Sequence, residues 1–258
     1  MDQTQAVLSS LPPMAFGFLL VIARVGTTLL IGPGLGESEI PPTVRIAFAV
    51  LLSVLVYPLV RSDLPPMPDT VPGLVGLLAI EIIVGAWMGF IARVLVMALA
   101  MAGGIVSLMV GLSSVLQIDP TIGAQVPSLE RMMGLAAIAL LFESGLYLLP
   151  IEAIVGSYKL IPPGTSFDAA GGAQLATRAV ADSFGLALRL AAPFVIIAFI
   201  WYAALGFVSR MIPNIQVYFV AAPAQIASGL VLLIAGISVM FTSWSTGILN
   251  AFSSLPGL

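Results

Sequence analysis

The chain has 258 residues, 60% of them hydrophobic and only 8% charged, and its mean hydropathy of +1.14 excludes a soluble globular domain and places it in a membrane. Net charge is −3 and the nine Lys and Arg are scattered singly, which leaves no basic face for nucleic acid. Cysteine and histidine are both absent, removing disulfides, zinc sites and imidazole chemistry, and no hydrolase, metalloprotease or nucleotide-loop motif occurs, so the chain is expected to be no enzyme and to hold no metal or cofactor.

Taken in order, the amino terminus lacks the basic region of a cleavable signal, and the first apolar segment, Met14 to Ile31, is expected to be retained. It carries Arg24 near its centre and ends in the breaker cluster GPGLGESEIPP. The second segment, Val44 to Val60, has Arg45 and Arg61 at its ends, where long side chains reach the interface. A stiff linker with four prolines in RSDLPPMPDTVPG follows. The third segment, Leu74 to Ala102, contains Glu81, Arg93 and the pair Gly85 and Gly89, a spacing that lets another helix backbone come close.

That third run does not stop where a helix should. From Leu74 to Leu116 there are 43 residues with two charges, whereas one crossing needs ~20. After a full crossing, the remnant Ile105 to Leu116 is too short to cross again. It is bracketed by Gly103, Gly104, Asp119 and Pro120 and interrupted by Gly111, which predicts an internal loop over 103–127. Irregular backbone at membrane depth persists only when buried in protein or lining a wet passage. Its side chains, among them Ile105, Leu108, Met109, Leu112 and Leu116, offer apolar bulk without charge and suit closing a pore rather than recognising a sequence. The alternative is a helix that frays into an interfacial loop. Met97, Met101 and Met109 flank it as adaptable packing or as ordinary gap-fillers.

The fourth segment, Leu129 to Leu149, keeps Glu143 inside and ends at Pro150. Residues 151–160 have helical spacing, and IPPGTSFDAAGG reads as a loop. The fifth, Ala179 to Val208, holds Asp182 and Arg189 and is expected to be kinked or broken at Pro193. SRMIPNIQ, with Arg210 and Pro213, precedes the sixth, Val217 to about Trp244. The expected fold is an all-α membrane protein: one domain over 1–258, about six long apolar helices in hairpins, and an internal apolar loop. Lys and Arg are evenly divided between the two sets of connections, so charge bias leaves the orientation open and points to assembly with partners as what sets it.

Arg24, Glu81, Arg93, Glu143 and Arg189 lie within apolar runs, where an ionised group is costly unless paired or wet. Two readings stand: a proton or small-solute pathway through Glu81 and Glu143, or structural ion pairs within or between subunits. Neither carboxylate has a helix-breaking residue beside it, and the two halves show no matched broken helices of the transporter kind, which favours pairing.

The stretch AGGIVSLMVGLSSVLQIDPTIGAQVPSL resembles the central region of the R/T family of type III export-gate subunits, at Ala102, Gly103, Gly111, Asp119, Pro120, Gly123 and Pro127. The likeness extends to Arg24 with Pro33 and Gly34, to Pro42 and Arg45, to Glu81 with Gly85 and Gly89, to Pro162–Pro163–Gly164, to Ala187, Arg189 and Pro193, and to Gly206, Arg210 and Pro213. Three departures are a Met at 109 where relatives often carry Gln, no His near Leu146 where they often carry one, and Asn214 and Gln216 in exchanged order. The resemblance implies a hairpin-built subunit of the bacterial inner membrane and flagellar basal body. It would join P and Q subunits in a closed gate, with the B subunit outside, and pass unfolded flagellar proteins. Its internal loop would help plug the pore, and the driving energy would come from elsewhere. A virulence-secretion homologue is the alternative within the family.

Overall fold

A computed structural model describes residues 3–37, 39–112, 128–211 and 217–253. Its described elements are helical: α1 (Gln3–Ile31), α2 (Pro42–Val60), a short 3-10 turn (Arg61–Asp63), α3 (Val71–Val96), α4 (Ala98–Val110), α5 (Ser128–Glu143), α6 (Leu148–Leu160), α7 (Ala169–Met211) and α8 (Val217–Phe252). Five of these helices are long and apolar enough to cross a membrane, and the α5–α6 pair, bent by 71°, makes a sixth if counted as one span. This is the all-α membrane architecture that the hydropathy pattern predicts.

The boundaries differ at instructive places. α1 begins well before Met14 and runs through Pro12 and Pro13. The fourth apolar run does not reach Pro150 as one helix: Gly145, at a φ of 75° that L residues avoid, breaks it, and Pro150 falls in the first turn of α6. The end of the expected loop, AAGG, belongs to α7. Asp168 caps that helix, its Oδ1 accepting from the N–H groups of Ala170 and Gly171, both at 3.1 Å. α7 continues for 43 residues through Pro193 without interruption, since one missing N–H does not outweigh apolar helix on both sides of it.

The described residues form two compact units, each drawn from separate stretches of chain. The first holds α1, α2, almost all of α3, α6 and the opening turns of α7. Its core packs Val21, Val25, Val56, Val60, Val84, Met88, Ala153, Ile154 and Tyr158. Trp87 adds an edge-on contact with Phe167 and donates its indole N–H to the Gly172 carbonyl at 2.8 Å. The second holds α4, α5, the rest of α7 and most of α8.

Within the first unit, Gly85 and Gly89 mark the crossing of α3 over α1. A Cβ on Gly85 would meet the backbone of Arg24 at its carbonyl, and one on Gly89 would lie 2.7 Å from the Thr28 carbonyl. The close-approach face expected for a neighbouring helix is therefore used inside the chain. Gly85→Ala is expected to destabilise the protein by about 1–3 kcal/mol, because backbone cannot step aside cheaply. Gly76→Ala on the same helix, with nothing within 4 Å, should be neutral or slightly stabilising. Thermal unfolding of the detergent-solubilised assembly compares the two; equal stability would mean the crossing is loose.

Candidate functional site

α1 carries Arg24 into the centre of the first unit, where both it and Glu81 of α3 are completely buried. The guanidinium grips the carboxylate through two bonds, Nε to Oε2 at 2.6 Å and Nη2 to Oε1 at 3.0 Å. This bidentate geometry is the strongest an ion pair offers. Nη1 donates to Ser157 Oγ at 3.2 Å, Nη2 to the Ile161 carbonyl at 3.0 Å, and the guanidinium lies 4.2 Å from the centre of the Tyr158 ring. One side chain thus ties α1 to α3 and α6.

Arg93, near the end of α3, acts similarly at a shallower site. Its Nη2 pairs with Glu37 at 3.1 Å, and its Nη1 donates to the carbonyl of Ile31, the last residue of α1, at 3.1 Å. Three of the five intramembrane charges, Arg24, Glu81 and Arg93, are therefore satisfied by partners in the same chain, which removes them as evidence for ion pairs between subunits. Glu143 on α5, and Arg189 and Arg210 on α7, are exposed.

The internal stretch also differs from its sequence reading. The apolar run breaks at Met97, not at Gly103, and α4 is a regular helix through Val110. Gly103 and Gly104 are packing positions inside it rather than hinges: a Cβ on Gly103 would meet the Met133 side chain at 2.8 Å, and one on Gly104 the Glu130 carboxylate at 2.9 Å. Both contacts seat α4 on α5. Ala98, Leu99, Ala102, Val106 and Val110 are buried, Ile105, Met109 and Leu112 are half-buried, and Leu108 is 58% exposed. At Gly111 the expectation of special backbone holds, since φ is 84° and its N–H returns to the Leu108 and Ser107 carbonyls as a left-handed helix cap. Leu116, Asp119, Pro120, Gly123, Pro127 and Pro213 lie outside the described residues.

Ser157, Tyr158 and Glu37 are site residues that sequence reasoning missed. The opposite signs of Arg24 and Glu81 carried a hint of pairing, but Ser157 lies 133 residues from Arg24 with no spacing to signal it.

Beside this geometry stand the comparisons with known proteins. Residues 15–251 match the family described as bacterial export proteins, family 1. The chain is 32% identical to the flagellar biosynthetic protein FliR of Caulobacter vibrioides over 91% of this chain and 94% of that protein. It is 30% identical to the FliR of Bacillus subtilis, with 87% of each covered. It is 26% identical to the Yop proteins translocation protein T of Yersinia pestis, with 84% of each covered.

Glu81→Ala or Arg24→Ala is expected to cost about 3–5 kcal/mol, because each leaves an uncompensated buried charge, whereas a double change to methionines should regain most of that loss. Recovery of heat-challenged, solubilised protein measures both. A Glu81→Gln protein that assembles at the normal level yet exports nothing would instead make Glu81 a proton carrier.

Proposed function

Because the chain belongs to the bacterial export proteins, family 1, we propose that it is a component of the flagellar type III protein export gate, the membrane conduit for unfolded flagellar proteins. Whole-length likeness carries this reading: 32% identity extends over 91% of the chain, and the family match runs over residues 15–251. An apolar, multi-helix chain of an export family suits a membrane conduit. The T protein of Yersinia pestis, at 26% identity, supports the second reading, a subunit of a virulence secretion gate.

Within that role, the chain sits in the inner membrane at the flagellar basal body, joins P and Q subunits, and contacts the B subunit. Exposed apolar faces on α7 and α8, including Phe199, Phe207, Val231 and Ile234, and the exposed Glu143 and Arg189 are the surfaces that need lipid or other subunits. The stretch from α4 to Pro127 closes the channel by apolar bulk. α4 commits Val106 and Val110 to its own packing, which leaves Leu108, Leu112 and the residues after them for contact with the passage.

Cells lacking this protein should make no flagellar filament, and the tagged chain should co-purify with P- and Q-like subunits. A cut inside α4 would unseat a packed helix, so the closing role is better tested by deleting residues 113–118. Assembly should persist while cells become permeable to ions and small dyes. A tight membrane around an assembled complex would make the stretch structural and overturn the closing role.

A further inference from the structure

The last four carbonyls of a helix have no partner within it. At the end of α4, the Gly111 N–H serves those of Leu108 and Ser107, and Met109 and Val110 are the last two of the helix. The next donor comes from elsewhere in the second unit. Gln225 of α8 directs its Nε2 to the Met109 carbonyl at 3.0 Å and to the Tyr202 hydroxyl oxygen of α7 at 3.0 Å. A side-chain amide nitrogen has two hydrogens, so both are used, and the one amide connects three helices. One turn further along α8, Gly229 brings the helix against Val110 so closely that a Cβ there would lie 2.9 Å from the Val110 Cβ.

We infer that Gln225 is a positioning residue of the export gate: its amide fixes the C-terminal end of α4 against α8 and so sets where the chain leaves that helix. The inference rests on the reading that the residues following α4 close the channel. The chemistry required is specific. The Met109 carbonyl needs a donor, so an acceptor of the same shape should be worse than an apolar side chain of similar length. A glutamate at 225 has the shape of glutamine but presents only lone pairs when ionised. A space-filling role would make Gln225→Glu the mildest change, and a tethering role makes it the harshest.

The test uses the assembled complex with cysteines at Val110 and Gly229. This chain has no cysteine of its own; a Cβ at 229 would lie nearer to that of position 110 than a relaxed disulfide sets, so the glutamine protein carrying both cysteines is the reference for every variant. The fraction joined by a disulfide on mild oxidation reports whether α4 is seated on α8. Relative to the glutamine protein, that fraction should fall about threefold to tenfold in Gln225→Met, the factor a single hydrogen bond of ordinary strength sets, and further in Gln225→Glu. Dye uptake by cells carrying the same variants without the cysteines should rise in that order. If the glutamate variant cross-links and seals like the wild type, shape alone suffices and the inference is overturned; if that variant does not assemble, the same two readouts on Gln225→Met decide. Should cross-linking fall while cells stay tight, the 113–118 deletion separates the causes. A leaky deletion strain means Gln225 has no part in closure, and a tight one means the closing role itself has failed.

Discussion

The buried Arg24–Glu81 pair is the constraint on which the first unit depends. A guanidinium and a carboxylate taken out of water each carry a desolvation cost of several kcal/mol, and mutual attraction offsets it only when the remaining donors are also satisfied. Here they are: both carboxylate oxygens accept from Arg24, and Ser157 Oγ, the Ile161 carbonyl and the Tyr158 ring take the rest of the guanidinium. The arrangement dictates which helices can neighbour α1. It also explains why α3 must cross so near to α1, since the glycine at position 85, one turn beyond Glu81, gives the room in which the carboxylate meets the arginine.

The same physics recurs at helix ends. Carbonyls that terminate a helix are answered by water in a soluble protein, and in an apolar surrounding they must be answered by protein. Arg93 of α3 donates to the Ile31 carbonyl at the end of α1, Arg24 of α1 to the Ile161 carbonyl just past α6, and Gln225 of α8 to the Met109 carbonyl near the end of α4. Each helix end is thus bound to a different helix. Charged and amide side chains in this chain serve helix termination as much as charge pairing. Cations suit that task because the carboxyl end of a helix carries partial negative charge.

For an export conduit this division of labour is useful. Internal polarity is consumed in fixing the helices, so the faces left over are mainly apolar and suited to lipid or to other hydrophobic subunits. α4 is held through Gly103 and Gly104 against α5 and through Val110 against Gly229 of α8. A short helix seated on two neighbours is fixed at its C-terminal end, where Val106 and Val110 are buried.

Much of the architecture was legible from residue order alone. Membrane residence, the number of long spans and the surplus apolar remnant after the third all follow from counting apolar residues against the thickness of a bilayer, a length that needs no tertiary information. Special backbone at Gly111 was legible from the glycine itself, although the sequence placed it inside a loop and the structure places it at the end of α4. The tertiary structure decided what depends on neighbours. Gly103 and Gly104 read as breakers by composition, yet a helix passes through them because Met133 and Glu130 occupy the space that side chains would have taken. Whether Arg24 paired inside the chain or outside it was undetermined by any spacing, since its partners Glu81, Ser157 and Ile161 lie 57, 133 and 137 residues away. Contacts at that separation are set by which helix faces meet, and a single sequence carries no record of that.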